Sequence, residues 1–131
     1  MSEGRVVRGI LFAHGEMAKG MVDATRRITG VGEDALAPLS NDGLGREELL
    51  EAIENLAGGA PVIVFTDLLA GSCAAAATIS CMERTDRAVI CGVNLPMLLD
   101  FVFHRDMPLP ALVERILDKG REGMRALRAP A

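Results

Sequence analysis

Pro61-Val62-Ile63-Val64-Phe65-Thr66-Asp67 is an unbroken apolar run, rich in β-branched residues, that stops at two polar ones. A strand with one wet face would alternate with polar residues, so this continuity predicts a strand over Pro61–Phe65 that is buried on both faces, as in the centre of a parallel sheet. Parallel neighbours require crossover segments, and the flanking sequence supplies them. Upstream, Val6 to Ala13 is a second apolar run ending at His14-Gly15, and the spacing of Met17, Met21, Val22 and Ile28 predicts a helix after it. Between these elements, Ala35–Leu39 reads as a weaker strand. The turn Ser40-Asn41-Asp42-Gly43 then leads to a helix over Arg46–Leu56, with Leu49, Leu50, Ile53 and Leu56 on one face and an acidic outer face.

Downstream of the central run the same alternation continues, with a helix from near Ser72 and a strand over Ala88–Gly92. Two further helices follow, over Asn94–His104 and Leu109–Lys119, the second ended by Gly120. Met17 and Met97 are expected in the core. Met124-Arg125-Ala126-Leu127 fits a short edge strand and a frayed tail equally well. The expected class is α/β: a doubly wound, mainly parallel sheet with helices on both faces and an order beginning 2-1-3-4. Residues 1–131 are expected to form one domain, since a chain of this length buries a core without staples.

Composition removes several functions. Half of the residues are hydrophobic and the net charge is −4, which gives a nucleic-acid backbone no basic surface to bind. Cys73, Cys81 and Cys91 are an odd number without a C-x-x-C pair, so neither a disulfide framework nor a zinc knuckle is indicated. The N-terminal residues do not form a signal peptide, and no apolar run approaches the ~20 residues of a membrane-spanning helix. A cytoplasmic protein is expected, with no direct insertion into the membrane.

In doubly wound sheets, ligands bind outside the carboxyl ends of the strands, where successive crossovers leave in opposite directions. With the order 2-1-3, His14 leaves the end of the first strand beside Asp67 at the end of the third. A carboxylate that accepts from one ring nitrogen fixes the tautomer and leaves the other nitrogen its lone pair, as base or nucleophile. Gly15 after His14, and Gly71-Ser72 before the third helix, bring two helix amino ends to the same crevice. Free N–H groups and the helix dipole favour an anion there. His14 and Asp67 are therefore the candidate catalytic pair, with Gly15, Gly71, Ser72 and Asn94 as phosphate-binding or supporting residues. Ser72 is expected to cap the third helix, and Asn94, with Pro96, to cap the fourth. His104 sits at a predicted helix end and is assigned no chemistry.

Other chemistries lack their parts. A receiver domain needs an acidic pair after its first strand to hold magnesium, and here that place reads Phe12-Ala13-His14. No G-x-x-x-x-G-K-[ST] or G-x-G-x-x-G loop is present for a nucleotide. Gly71-Ser72-Cys73-Ala74 lacks the second glycine of a hydrolase elbow, with His104 as the only later base.

Four segments together carry a resemblance. They are Gly9-Ile10-Leu11-Phe12-Ala13-His14-Gly15, Thr66-Asp67-Leu68-Leu69-Ala70-Gly71-Ser72, Gly92-Val93-Asn94-Leu95-Pro96-Met97-Leu98 and Gly120-Arg121-Glu122-Gly123. In this order, over nearly the whole chain, the sequence resembles the mannose-type IIA component of the bacterial phosphoenolpyruvate-dependent sugar phosphotransferase system. The resemblance implies that His14 takes a phosphoryl group from the histidine phosphocarrier protein and gives it to a IIB component, with Asp67 beside it. No metal or cofactor is implied. It also implies a homodimer in which the terminal strand is exchanged between subunits. The second segment departs from the usual pattern, which has two glycines before the serine and a proline after it. Ala70 is a poorer residue than glycine wherever φ is positive, whereas Cys73 supplies a backbone N–H that proline lacks.

Two classes of function follow from the same histidine. One is a carrier in sugar uptake, working with IIB and membrane subunits in trans. The other is a regulatory module whose binding is switched by phosphorylation, without sugar transport. A dihydroxyacetone kinase phosphotransfer subunit shares the histidine chemistry.

Overall fold

A computed structural model describes residues 6–31 and 34–130. Four parallel strands, β1 (Arg8–Ala13), β2 (Leu36–Ser40), β3 (Val62–Thr66) and β4 (Arg87–Cys91), form a sheet in the order β2-β1-β3-β4. The helices are α1 (Met17–Thr29), α2 (Arg46–Ala57), α3 (Ser72–Cys81), α4 (Leu95–Val102) and α5 (Leu109–Glu122). This is the doubly wound α/β architecture expected from the strand pattern.

The continuous apolar runs are explained by helices on both sides. Along β1 and β3, Ile10, Phe12, Val62 and Val64 pack with Leu49 and Ile53 of α2 and Cys73, Ala76 and Ala77 of α3. Their neighbours Leu11, Ala13, Ile63 and Phe65 pack instead with residues of α1, α4 and α5. Alternate side chains thus meet two different cores. Phe101 of α4 stacks edge-on against Phe65, with centroids 5.2 Å apart, and lies over Gly9. A Cβ at Gly9 would stand 2.7 Å from its ring, so the glycine sets how closely α4 approaches the sheet.

Pro38 lies on β2, an edge strand, where a missing N–H is tolerated. At the amino end of α2, Glu48 accepts a hydrogen bond from the Gly45 N–H at 2.9 Å, one half of a capping box.

Two expectations are corrected. Gly120 does not end α5: it is a buried helical residue, and its missing Cβ would stand 2.8 Å from Met97 Cε, so it serves close helix packing. Met17 is 44% exposed, whereas Met97 is buried as expected. Residues 124–127, which the sequence leaves open between an edge strand and a frayed tail, join no strand of their own chain, and Leu127 is 99% exposed.

Candidate functional site

The sheet order makes β1 and β3 neighbours whose crossovers leave to opposite faces: α1 packs on one side of the sheet and α3 on the other. Their carboxyl ends open the crevice that holds His14 and Asp67. Thr66, the last residue of β3, is buried. It accepts from the Val93 N–H through its carbonyl at 3.1 Å and donates through Oγ1 to the Leu68 carbonyl at 3.0 Å. These bonds pin the turn that carries Asp67 between β4 and its own following residues.

His14 Nδ1 lies 2.8 Å from Asp67 Oδ2, and the main-chain N–H of His14 donates to the same oxygen at 3.0 Å. The Leu68 N–H donates to the other oxygen at 2.9 Å. A carboxylate only accepts, so Nδ1 carries the proton and Nε2 keeps its lone pair. Burial pushes the Asp67 carboxyl up, but the hydrogen bonds from the His14 main chain and ring outweigh it and hold the group below its usual range. The Asp67 side chain is 8% exposed and that of His14 42%, so the carboxylate is enclosed while the imidazole is open to an incoming group.

The free nitrogen faces the start of α3. A Cβ built on Gly71 would lie 3.8 Å from His14 Cε1 and 4.0 Å from Nε2, which places the Gly71 main chain along the open edge of the ring. Gly71 is the N-cap residue, with φ of 109°, and the first bond of α3 runs from the Ala75 N–H to the Gly71 carbonyl. The amides before Ala75 have no intrahelical acceptor and stand at the positive end of the helix dipole. Small residues make this approach possible: Ala74, Ala76 and Ala77 let α3 sit low on the sheet. The positive φ falls on Gly71 and not on Ala70, so alanine in the first glycine position leaves the turn unstrained; among the described residues only Glu83 has a positive φ without being glycine. Gly15, with φ of 58°, turns the chain from His14 into α1, whose N-cap is Glu16.

Ser72 does not cap α3, because Gly71 occupies that place and Ser72 is the first helical residue. Its Oγ accepts from Asn41 Nδ2 at 3.3 Å instead, which leaves the hydroxyl proton to be given elsewhere. Asn94 is a cap: Oδ1 accepts from the Met97 N–H at 3.1 Å, and Nδ2 donates to the Gly120 carbonyl at 2.8 Å, tying α4 to α5. His104 is held by the Asp100 carbonyl, 2.8 Å from its Nδ1.

Sequence reasoning missed two side chains here. Asn41 reads as a turn residue, yet it reaches across 31 positions to Ser72. Cys73 reads in the sequence as a buried thiol, a rejected nucleophile and a backbone donor, and not as a neighbour of the imidazole, yet its Sγ lies 3.9 Å from His14 Nδ1. Burial, with the nearby Asp67 charge, pushes this thiol up to about 11. Nothing local in the sequence signals either contact, because both depend on how α3 docks.

The arrangement suits a group that takes an anion onto an imidazole nitrogen. A family model described as "PTS system fructose IIA component" matches residues 9–117. The chain is similar to the phosphotransferase system component EIIA from Streptococcus agalactiae, with 25% identity over 92% of this chain and 96% of that one and a TM-score of 0.83. The mannose/sorbose-specific IIA subunit from Enterococcus faecalis shares its fold at 20% identity, covering 96% of this chain and 98% of that one with a TM-score of 0.81. So does the PTS IIA protein associated with the fucose utilization operon of Streptococcus pneumoniae, at 21% identity, 93% coverage of both chains and a TM-score of 0.80. No curated protein matches the chain. With a family match running from the first residues of β1 through most of α5, and with solved IIA components sharing its fold, the chain belongs to the fructose and mannose-type IIA family of the sugar phosphotransferase system.

Proposed function

We propose that the chain is a phosphohistidine carrier that accepts a phosphoryl group on His14 Nε2 from the histidine phosphocarrier protein and passes it to a IIB component in trans. The observation that carries this reading is the single pairing of Nδ1 with Asp67, which leaves the Nε2 lone pair facing the amino end of α3. In the forward step Nε2 attacks phosphorus in line. The bond from phosphorus to the donor nitrogen breaks as the new P–N bond forms, and Asp67 offsets the positive charge that develops on the ring. The phosphoryl oxygens meet the first amides of α3 and the Ser72 hydroxyl. Transfer to IIB is the same displacement with His14 as leaving group, and neither step needs a metal or cofactor.

Leu68, 58% exposed, and Leu69, 84% exposed, rim the crevice and give a partner protein an apolar surface beside the ring. We infer that residues 1–131 act as one phosphotransfer domain in the cytoplasm, as a homodimer. Among the described residues no helix is long and apolar enough to cross a membrane. Supporting the dimer, β4 pairs only with β3 and keeps its outer edge open.

The test is transfer of labelled phosphate from the phosphocarrier protein. Wild type should be labelled, His14→Ala should take up none, and Asp67→Ala should be labelled about 10²-fold more slowly. Labelling of His14→Ala at the wild-type rate would remove the central claim.

A further inference from the structure

His14, Asp67 and Cys73 reach one point from three segments: the end of β1, the end of β3 and the first turn of α3. Their ligating atoms all lie within 4.8 Å of one another, and among the described residues theirs is the only group of three metal-ligating side chains so placed. The set offers an imidazole nitrogen, a carboxylate oxygen and a sulfur. This mixture suits a borderline-soft ion such as zinc and does not suit magnesium or calcium. We propose that these three side chains form a zinc site and that an ion held there blocks phosphoryl uptake.

The site forms with movements of about an ångström or less. A tetrahedral zinc ion with bonds of about 2.0–2.3 Å sets its nitrogen and sulfur ligands about 3.5 Å apart and its nitrogen and oxygen ligands about 3.3 Å apart. The sulfur lies 3.9 Å from Nδ1 and the Asp67 oxygen 2.8 Å from it, with the three atoms spanning up to 4.8 Å, so the carboxylate opens from the ring by about half an ångström and the thiol closes by a few tenths on the ring and by about an ångström on the carboxylate. The ion takes the place of the proton between Nδ1 and Asp67, beneath the exposed ring, where the enclosed carboxylate and the buried thiol hold it. Three protein ligands leave a fourth position for water.

Proton bookkeeping shows why transfer stops. As the bond from zinc to sulfur forms, the thiol proton passes to solvent. The proton on Nδ1 moves to Nε2, so the ring stays neutral while Nδ1 binds the ion. Nε2 then carries a hydrogen in place of its lone pair and has nothing to offer phosphorus. This blocking step rests on the phosphohistidine reading; the binding of zinc does not.

The test is calorimetric titration of the full chain with zinc chloride, with cobalt(II) as an optical probe of sulfur ligation. One ion should bind per chain. Cys73→Ala, His14→Ala and Asp67→Asn should each weaken binding at least tenfold, Cys91→Ala should leave it unchanged, and magnesium should not bind. Cobalt should show a thiolate charge-transfer band that Cys73→Ala loses. Circular dichroism checks the fold of each variant, and Cys73→Ser, similar in volume to cysteine, replaces the alanine variant if that one fails to fold. Zinc should slow labelling of wild type by the phosphocarrier protein, a chelator should restore it, and Cys73→Ala should be labelled at one rate with or without zinc. Zinc binding that survives loss of the thiol, or the absence of the cobalt band, would overturn the site. Wild type that binds zinc through these residues, yet takes no label in its absence, would refute the phosphohistidine reading and leave the site standing.

Discussion

At the residue scale, the carboxylate of Asp67 is bound by the residue it serves from two directions, through the ring and the main chain of His14. Its folded-state carboxyl is held below the usual range against the effect of burial, so its sign of linkage is fixed. The stability it contributes is fully present above the ordinary carboxylate range and is lost as pH falls through the lowered value. Wild type should therefore lose its advantage in thermal midpoint over Asp67→Asn on acidification, which melting curves from neutral pH to about pH 3 will check. Equal slopes for the two proteins would mean that the pair adds nothing to folding. His14 and Asp67 were legible in the sequence because each ends an apolar run, and parallel topology sends such ends to one side. Cys73 was not, since it stands 59 positions from His14 and only the depth of α3 on the sheet decides whether they touch.

At the scale of elements, Arg87 at the start of β4 joins three pieces of structure. Its guanidinium gives two bonds to Glu54 of α2, at 2.6 and 2.8 Å, and one to the Ser80 carbonyl of α3 at 2.9 Å. The arginine side chain is 2% exposed and that of Glu54 51%, so the two ends of the pair are not equivalent. Removing the glutamate leaves a buried cation, whereas replacing the arginine by an apolar side chain of similar length leaves an exposed carboxylate in water. Glu54→Ala, which leaves buried donors unsatisfied, should cost about 1–3 kcal/mol and Arg87→Met less, as measured by urea unfolding. The reverse order would show that the arginine acts through packing. Apolar period and turn residues mark this strand and these helices in the sequence, with the strand read from Ala88, and nothing there singles out Arg87 just before it. Gly120 shows the same limit: glycine late in a helix can end it or let another helix approach, and only Met97 and Asn94 of the neighbouring segment decide which.

For the whole molecule, the homodimer is the expectation that most needs a solution measurement. Strand exchange over residues 124–127 requires main-chain N–H groups on that segment, and proline removes one. The full chain should scatter light as a dimer and Ala126→Pro as a monomer; a dimer that survives the proline would place the interface elsewhere. The class was readable from the apolar pattern, and the strand order, assumed from that class, is the one the sheet has, whereas assembly was not readable, since one chain's sequence does not show which edge a partner covers. The sheet has a further consequence, for the order of events as the chain acquires its structure. Each of its strand pairings, β1 with β2, β1 with β3 and β3 with β4, is parallel and joins segments separated by at least one helix, so no sheet contact is local. Such contacts close large loops and form slowly. The pair of His14 and Asp67, 53 positions apart, exists only once β1 and β3 have met. On the proposed carrier reading, helical signal should therefore return before phosphoryl-accepting capacity in refolding from urea, so that a half-assembled chain would draw no phosphate from its donor.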